Sequence, residues 1–119
     1  MIIGDGEAAT NAFLKRPAGL VTDGSGNLFI ADTDQDRVRR VDADGIMSTI
    51  AGTGEKGYEG DGGPALTATW NGPKAIRCDQ QDSMIVVDTE NHAIRRIDAS
   101  TGIVTTIAGG HQGGDGDGG

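Results

Sequence analysis

Several residue types on which small proteins commonly depend are scarce in this chain. Its 119 residues include 1 cysteine, 3 prolines and only 3% aromatic residues. A single cysteine excludes a disulfide within the chain. An apolar fraction of 35% is lean for an independent core. No apolar run approaches the roughly 20 residues of a membrane span, and the first residues do not resemble a signal peptide. We therefore expect no membrane partner, and the sequence names no compartment.

Basic residues are also few. Lysine and arginine total 10 against 18 aspartates and glutamates, which gives a net charge of −8. An acidic chain repels phosphate backbones, so nucleic acid is not an expected partner. Glycine is abundant by contrast, with 21 residues that cluster between apolar runs. Such placement is typical of turn glycines.

The chain contains one sequence unit twice. The tripeptide Gly-Asp-Gly begins at residues 4, 60 and 116, which is every 56 residues. We therefore divide the chain into a first unit over residues 4–59 and a second over residues 60–115. Residues 116–119 are then the start of a third repeat or a tail.

Each unit contains four short strand-like segments separated by turn residues. A single helical turn precedes the first strand of each unit, with Pro64 at its first helical position in the second. Four short strands per repeat, with one long glycine-rich connection between units, are typical of a β-propeller blade. The predicted strands are residues 18–22, 28–31, 37–41 and 46–51 in the first unit, and 75–78, 84–87, 93–97 and 103–108 in the second.

Four segments of the second unit point to a known family. They are GDGGPA from Gly60, WNGP from Trp70, VDTENHAIRRID from Val87 and TTIAG from Thr105. Together they strongly resemble the NHL repeat, and the resemblance covers nearly the whole chain. The first unit departs at residues 35–36, where Gln-Asp replaces Asn-His. The resemblance implies an all-β fold of two four-stranded antiparallel blades, in a family that usually closes a ring of about six.

Two blades alone would leave apolar sheet faces uncovered, because propeller blades pack on their neighbours. Both ends of the chain share one repeat phase, so one copy can follow another head to tail. Such a contact closes a ring or continues as a filament. Three copies would complete a ring of about six blades. We therefore expect self-association through the blade faces into a homotrimer. The alternative is a fragment of a longer propeller without a function of its own.

The turn after the second strand and the connection between units lie at one end of a blade, called here the long-loop face. Most of the carboxylates fall on this face, and we interpret them chiefly as turn-forming and solvating residues. The resemblance implies a binding module that presents loops to a protein, a peptide or nucleic acid. Because the negative charge argues against nucleic acid, the expected ligand is a protein, a peptide or a small polar molecule. The candidate ligand-binding residues on this face are Asp32, Asp61, Asp88, Asn91 and His92.

An enzymatic alternative also follows from the resemblance. Some six-bladed relatives are lyases or metal-dependent hydrolases with a metal in the central channel. Asp23 and Asp79 end the innermost strands and are candidate ligands for a divalent cation there, although no cofactor is expected. A general base needs a nucleophile or an orienting acid within reach. The sequence supplies no such set around His92, Ser83 or Cys78, so no catalytic residue is assigned and a binding module is favoured.

Arg39 and Arg95 share strand faces with apolar residues, so each guanidinium should be half buried and should need a carboxylate. Asp32 and Asp88, at the ends of the second strands, are the expected partners. Three further residues are assigned structural roles. Pro17 and Pro73 occupy the same repeat position, and Trp70 falls at the position of Leu14.

Two apparent ligand motifs are interpreted as turns. Residues 52–57 match a dinucleotide fingerprint, but the residues that follow cannot open the helix that would hold the pyrophosphate. Asp32, Asp34 and Asp36 have calcium-loop spacing. However, Arg37 and Ala43 stand where that loop needs glycine and glutamate.

Overall fold

The computed structural model describes residues 3–110 and confirms the all-β prediction for this part of the chain. Within it, the strands form two four-stranded antiparallel sheets, each a meander in sequence order. The first sheet is called blade 1 and the second blade 2. Their strands are Pro17–Thr22 (β1), Leu28–Asp32 (β2), Arg37–Val41 (β3), Met47–Ala51 (β4), Pro73–Cys78 (β5), Met84–Asp88 (β6), Ala93–Ile97 (β7) and Val104–Gly109 (β8).

The first strand of each blade begins at a proline, one or two residues earlier than predicted. Pro17 lies opposite Asp32 in the pairing of β1 with β2, and Pro73 lies opposite Asp88 in the pairing of β5 with β6. Proline is tolerated at the first residue of a strand because a ladder hydrogen bond is not needed from it there. A register shift follows each proline, which indicates a β-bulge.

Short 3-10 turns stand between the strands. The helical turns predicted ahead of the first strands are Ala9–Asn11 and Ala65–Thr67. Pro64 precedes the second of these with an extended ψ of 138°, so it flanks the turn and does not occupy its first helical position. Two more such turns, Thr33–Gln35 and Thr89–Asn91, join the second and third strands of the blades.

The two blades pack together along their first strands. β1 lies against β5, and a Cβ atom built on Gly19 would stand within overlap distance of the Lys74 carbonyl oxygen, at 2.4 Å. Only glycine permits so close an approach of two backbones. The hydrophobic core lies at this junction and joins Phe29 and Val38 of blade 1 to Trp70 of blade 2, all of them buried.

Polar contacts fix the register of the two blades. The Thr33 hydroxyl donates to the Pro73 carbonyl at 2.7 Å, and the Gly72 N–H donates to Asp36 Oδ1 at 2.8 Å. Lys56 Nζ lies 3.1 Å from Asp36 Oδ2. The turn after β2 is thereby tied to the segment that leads into β5.

Two expectations extend beyond these blades. Residues 116–119, interpreted from the sequence as the start of a third repeat or a tail, lie outside the described residues. The six-bladed ring stays a prediction. Across residues 3–110, no helix is both long enough and apolar enough to cross a membrane.

Candidate functional site

Arg95 lies at the centre of a polar cluster inside blade 2. Its side chain is fully buried, with Nη1 at 3.3 Å from Asp88 Oδ2 and Nη2 at 3.0 Å from Asp61 Oδ1. The carbonyl oxygens of Thr69 and Glu59 accept further hydrogen bonds from the same group. Charge-assisted hydrogen bonds, which are stronger than neutral ones, therefore hold the guanidinium on several sides.

Two aromatic rings flank this guanidinium. The Arg95 Cζ atom is 4.3 Å from the centre of the Trp70 ring and 5.0 Å from that of Tyr58. Both distances suit cation–π attraction. The Tyr58 hydroxyl shares a hydrogen bond of 2.6 Å with Thr106 Oγ1, which also lies 2.5 Å from Asp61 Oδ2. The aromatic and acidic groups around the arginine thus belong to one hydrogen-bonded network.

Asp88 is the most enclosed acid of this cluster. The Asn71 N–H donates to its Oδ1 at 2.8 Å, and Asn91 Nδ2 donates to its Oδ2 at 2.7 Å. Burial raises the pKa of Asp88, while these hydrogen bonds and the charge of Arg95 act in the opposite direction. Both carboxylate oxygens face the protein interior.

A corresponding cluster surrounds Arg39 in blade 1. Its guanidinium lies 3.2 Å from Asp32 Oδ2 and 3.0 Å from Asp5 Oδ1, and it donates to the Phe13 carbonyl at 2.9 Å. The structure therefore contains both arginine–carboxylate pairs that the sequence predicts, one in each blade.

The five candidate ligand-binding residues lie in three places. Asp61, Asp88 and Asn91 belong to the blade 2 cluster, and of these three only Asp61 is exposed. Asp32 is buried in the blade 1 cluster. His92 is exposed at the left-handed end of the turn before β7, with φ of 54°. A ligand-binding role for these residues stays a prediction.

Asp23 and Asp79 each close their own turn at the end of an inner strand. Asp23 Oδ1 accepts from the N–H groups of Ser25 and Asn27, and the side-chain hydrogen bond from Asn27 is the main cause of its lowered pKa. Asp79 Oδ2 lies 3.4 Å from Arg96 Nε. Within residues 3–110, no group of three or more His, Cys, Asp or Glu side chains is placed to hold a metal ion.

Cys78 lies half buried beside these turns. Burial raises the pKa of its thiol, and the charges of Asp82, Asp23 and Asp79 raise it further. A thiol with a raised pKa is protonated at neutral pH and is a weak nucleophile. The local chemistry therefore suits an inert side chain.

A groove of about 400 Å³ opens at the long-loop face of blade 1. Phe13, which is 42% exposed, gives the groove an apolar surface. Lys15 and Arg37 line it with positive charge, and Asp34 and Glu55 line it with negative charge. The sequence analysis missed this groove because three separate segments form it. The available signal in the sequence was a phenylalanine outside the predicted strands of an aromatic-poor chain.

Comparison with known proteins identifies the repeat. Residues 2–59 match the family model of the Teneurin NHL domain. Over 106 residues the chain is 39% identical to NHL repeat-containing protein 2 of Gallus gallus. The chain belongs to the NHL-repeat family. The matched stretch covers 87% of this chain but 14% of that relative, so this NHL chain spans about one seventh of the relative's length.

Solved structures share the fold of these NHL blades. A structural genomics protein of unknown function from Bacteroides thetaiotaomicron superimposes with a TM-score of 0.63 and 25% identity, over 70% of this chain and 21% of that one. A streptogramin B lyase structure superimposes with a TM-score of 0.55 and 18% identity, over 76% of this chain and 25% of that one. The likeness to the lyase concerns the fold alone.

The two NHL repeats differ where blade 1 meets blade 2. Both keep the buried aspartate–arginine pair, which is therefore part of the internal structure of each repeat. Asp36 of blade 1 accepts a hydrogen bond from blade 2, whereas His92 at the same repeat position is exposed. The repeats therefore differ at the end of the turn that precedes the third strand.

Proposed function

We propose that this chain is an NHL β-propeller interaction module that binds a protein segment, a peptide or a small polar ligand at its long-loop face. In this proposal, three copies form a homotrimer that completes a ring of about six blades. The groove beside Phe13 is the observation that carries the binding role.

The chemistry of the groove suits a ligand that carries both charges and an apolar group. Its volume of about 400 Å³ lies in the range typical of ligand sites. Asp34 and Glu55 attract a cationic group, while Lys15 attracts a carboxylate. Phe13 offers an apolar surface between them.

Blade 2 indicates which shape of ligand the groove would take. Thr69 stands at the repeat position of Phe13, and its hydroxyl accepts a hydrogen bond of 2.8 Å from the Glu59 N–H. Asn91 Nδ2 donates to the Gly57 carbonyl at 2.7 Å. The corresponding place in blade 2 therefore holds an extended stretch of backbone. We expect the groove of blade 1 to favour an extended peptide.

The propeller-enzyme alternative receives less support. Its candidate metal ligands, Asp23 and Asp79, already accept hydrogen bonds that close their own turns. The likeness to a streptogramin B lyase concerns the fold alone. The binding module is therefore the function that the geometry favours.

Titration with short peptides that vary in charge and in one apolar side chain tests this function. We expect shifts in the amide NMR signals of Phe13, Lys15 and Glu55, and Phe13→Asp should abolish binding. Leu66→Asp is the matched control, because Leu66 is an exposed apolar residue outside the groove. A chain without residues 1–2 is titrated in parallel. These two residues stand at the repeat positions of residues 57–58, which belong to the stretch of backbone in the corresponding place of blade 2. Equal binding to the Phe13→Asp chain would contradict the proposal.

A further inference from the structure

Blade 2 has an uncovered sheet flank on the side turned away from blade 1. This outer flank contains Val87, Ile94 and Ala108, which line an apolar depression of about 280 Å³. Val87 is 36% exposed. The same repeat positions of blade 1 are completely buried at the junction with blade 2. They are Ala31, Val38 and Ala51.

Blade 1 has the matching uncovered flank at the other end of the chain. Leu20 of β1 is 67% exposed, whereas Ile76, its counterpart in β5, is 5% exposed against blade 1. Pro17 is likewise exposed, and its counterpart Pro73 is buried. The chain therefore exposes both halves of a junction that it already contains in complete form between its blades.

We propose that the outer flank of blade 2 binds the Leu20 flank of blade 1 in a second copy of the chain. This inference rests on the ring proposed above and identifies the surfaces that close it. The contact joins two different flanks and is heterologous, as ring closure requires. Thr89 stands where Thr33 stands in blade 1, so its hydroxyl donates to the Pro17 carbonyl of the second copy, as Thr33 donates to Pro73.

The junction between copies differs from the junction within the chain along the first strands. Ala75 stands at the position of Gly19, and its Cβ atom prevents the close backbone approach that Gly19 permits. Arg77 stands at the position of Val21, which packs on the hydrophobic core. A methyl group thus replaces a close backbone contact, and a charge replaces an apolar side chain. We therefore expect the copies to separate before the blades of one chain do.

His92 is a third difference. In blade 1, Asp36 accepts a hydrogen bond from the Gly72 N–H and faces the Lys56 ammonium. In the junction between copies, His92 takes the position of Asp36, and Arg16 of the second copy takes that of Gly72. An imidazole then stands where a carboxylate would accept a hydrogen bond from the Arg16 N–H, as Asp36 accepts one from the Gly72 N–H. His92→Asp restores that carboxylate.

Two substitutions test which flanks meet. Val87→Asp places a charge on the outer flank of blade 2, and Leu20→Asp places a charge on the Leu20 flank of blade 1. Both side chains have exposed surface in the single chain. Sedimentation equilibrium of the full chain should give a trimer, and each variant alone should give a monomer. An equimolar mixture should give a one-to-one dimer, because each variant keeps the flank that the other has lost. Circular dichroism checks that both variants fold, and Leu66→Asp should remain trimeric.

Two results would contradict this inference, and they distinguish an error in the flanks from an error in the ring. A trimer that persists in both flank variants overturns the flank assignment and leaves the ring standing. A full chain that is monomeric at every concentration overturns the ring and the junction together. The peptide titration is independent of either result.

Restoring the residues of the in-chain junction tests its difference from the junction between copies. We expect Ala75→Gly with His92→Asp to lower the trimer dissociation constant about tenfold. The direction of the change in affinity is informative, because glycine inside a strand ordinarily weakens the strand. Unchanged or weaker association of this double variant would overturn the claim that Ala75 and His92 weaken the junction between copies.

Discussion

A buried arginine stands at the same place in both blades and is hydrogen-bonded to the segment that precedes the first strand of its blade. Burying a charge is costly unless it is paired and hydrogen-bonded. Arg95 meets that condition through Asp88, Asp61 and the rings of Trp70 and Tyr58. Because Arg95 and Asp88 are both completely buried, removal of either charge would leave the other buried without its partner.

Replacing Arg95 with methionine should lower the free energy of unfolding by about 3–5 kcal/mol, because Asp88 would stay buried without its cation. Arg96→Met is the matched control. Arg96 is 29% exposed and lies 3.4 Å from Asp79 and 3.3 Å from Asp98, so its loss should change stability by about 1 kcal/mol or less. Urea unfolding followed by tryptophan fluorescence measures both variants. Equal losses in the two would contradict the structural role of the cluster.

At the scale of elements, the strands could be predicted because neighbouring residues specify them. Apolar runs bounded by turn residues mark β2, between Gly26 and Asp32, and β6, between Asp82 and Asp88. The contacts between elements could not be predicted in this way. Asp36 meets the N–H of Gly72, 36 residues along the chain. The groove brings together Phe13, which precedes β1, and Glu55, which follows β4. No local spacing specifies such pairs.

Gly19→Ala tests how closely β1 and β5 pack. The added Cβ would stand 2.4 Å from the Lys74 carbonyl oxygen and 3.0 Å from the Ala75 Cα atom. Overlap with a backbone should lower the free energy of unfolding by about 1–3 kcal/mol. Gly24→Ala is the matched control, since a Cβ there meets no atom within 4 Å. Thermal unfolding that is no earlier for Gly19→Ala than for Gly24→Ala would mean that the two strands do not approach so closely.

For the whole molecule, the hydrophobic core lies at the junction of the two blades, and the outer flanks are left for a partner to cover. The buried cluster spans both blades, from Phe29 and Val38 to Val86 and Val104, so the junction stabilises the pair as a unit. The sequence predicted the need for a partner from the blade pattern alone. It could not identify the partner, because another NHL blade of a longer chain and a second copy present related flanks. Leu20 is exposed in the structure, and either partner would cover it, so the mass of the chain in solution distinguishes the two.

The unfolding midpoint should therefore rise with protein concentration. Association that only the folded chain can undergo stabilises the folded state by mass action, and more so as the concentration increases. We expect this rise in calorimetry of the full chain, and a constant midpoint for Val87→Asp and Leu20→Asp, which each lack one flank. A rise that persists in both variants would place the contact on another surface. A constant midpoint in the full chain would mean that the junction between its two blades stabilises the fold without a second copy.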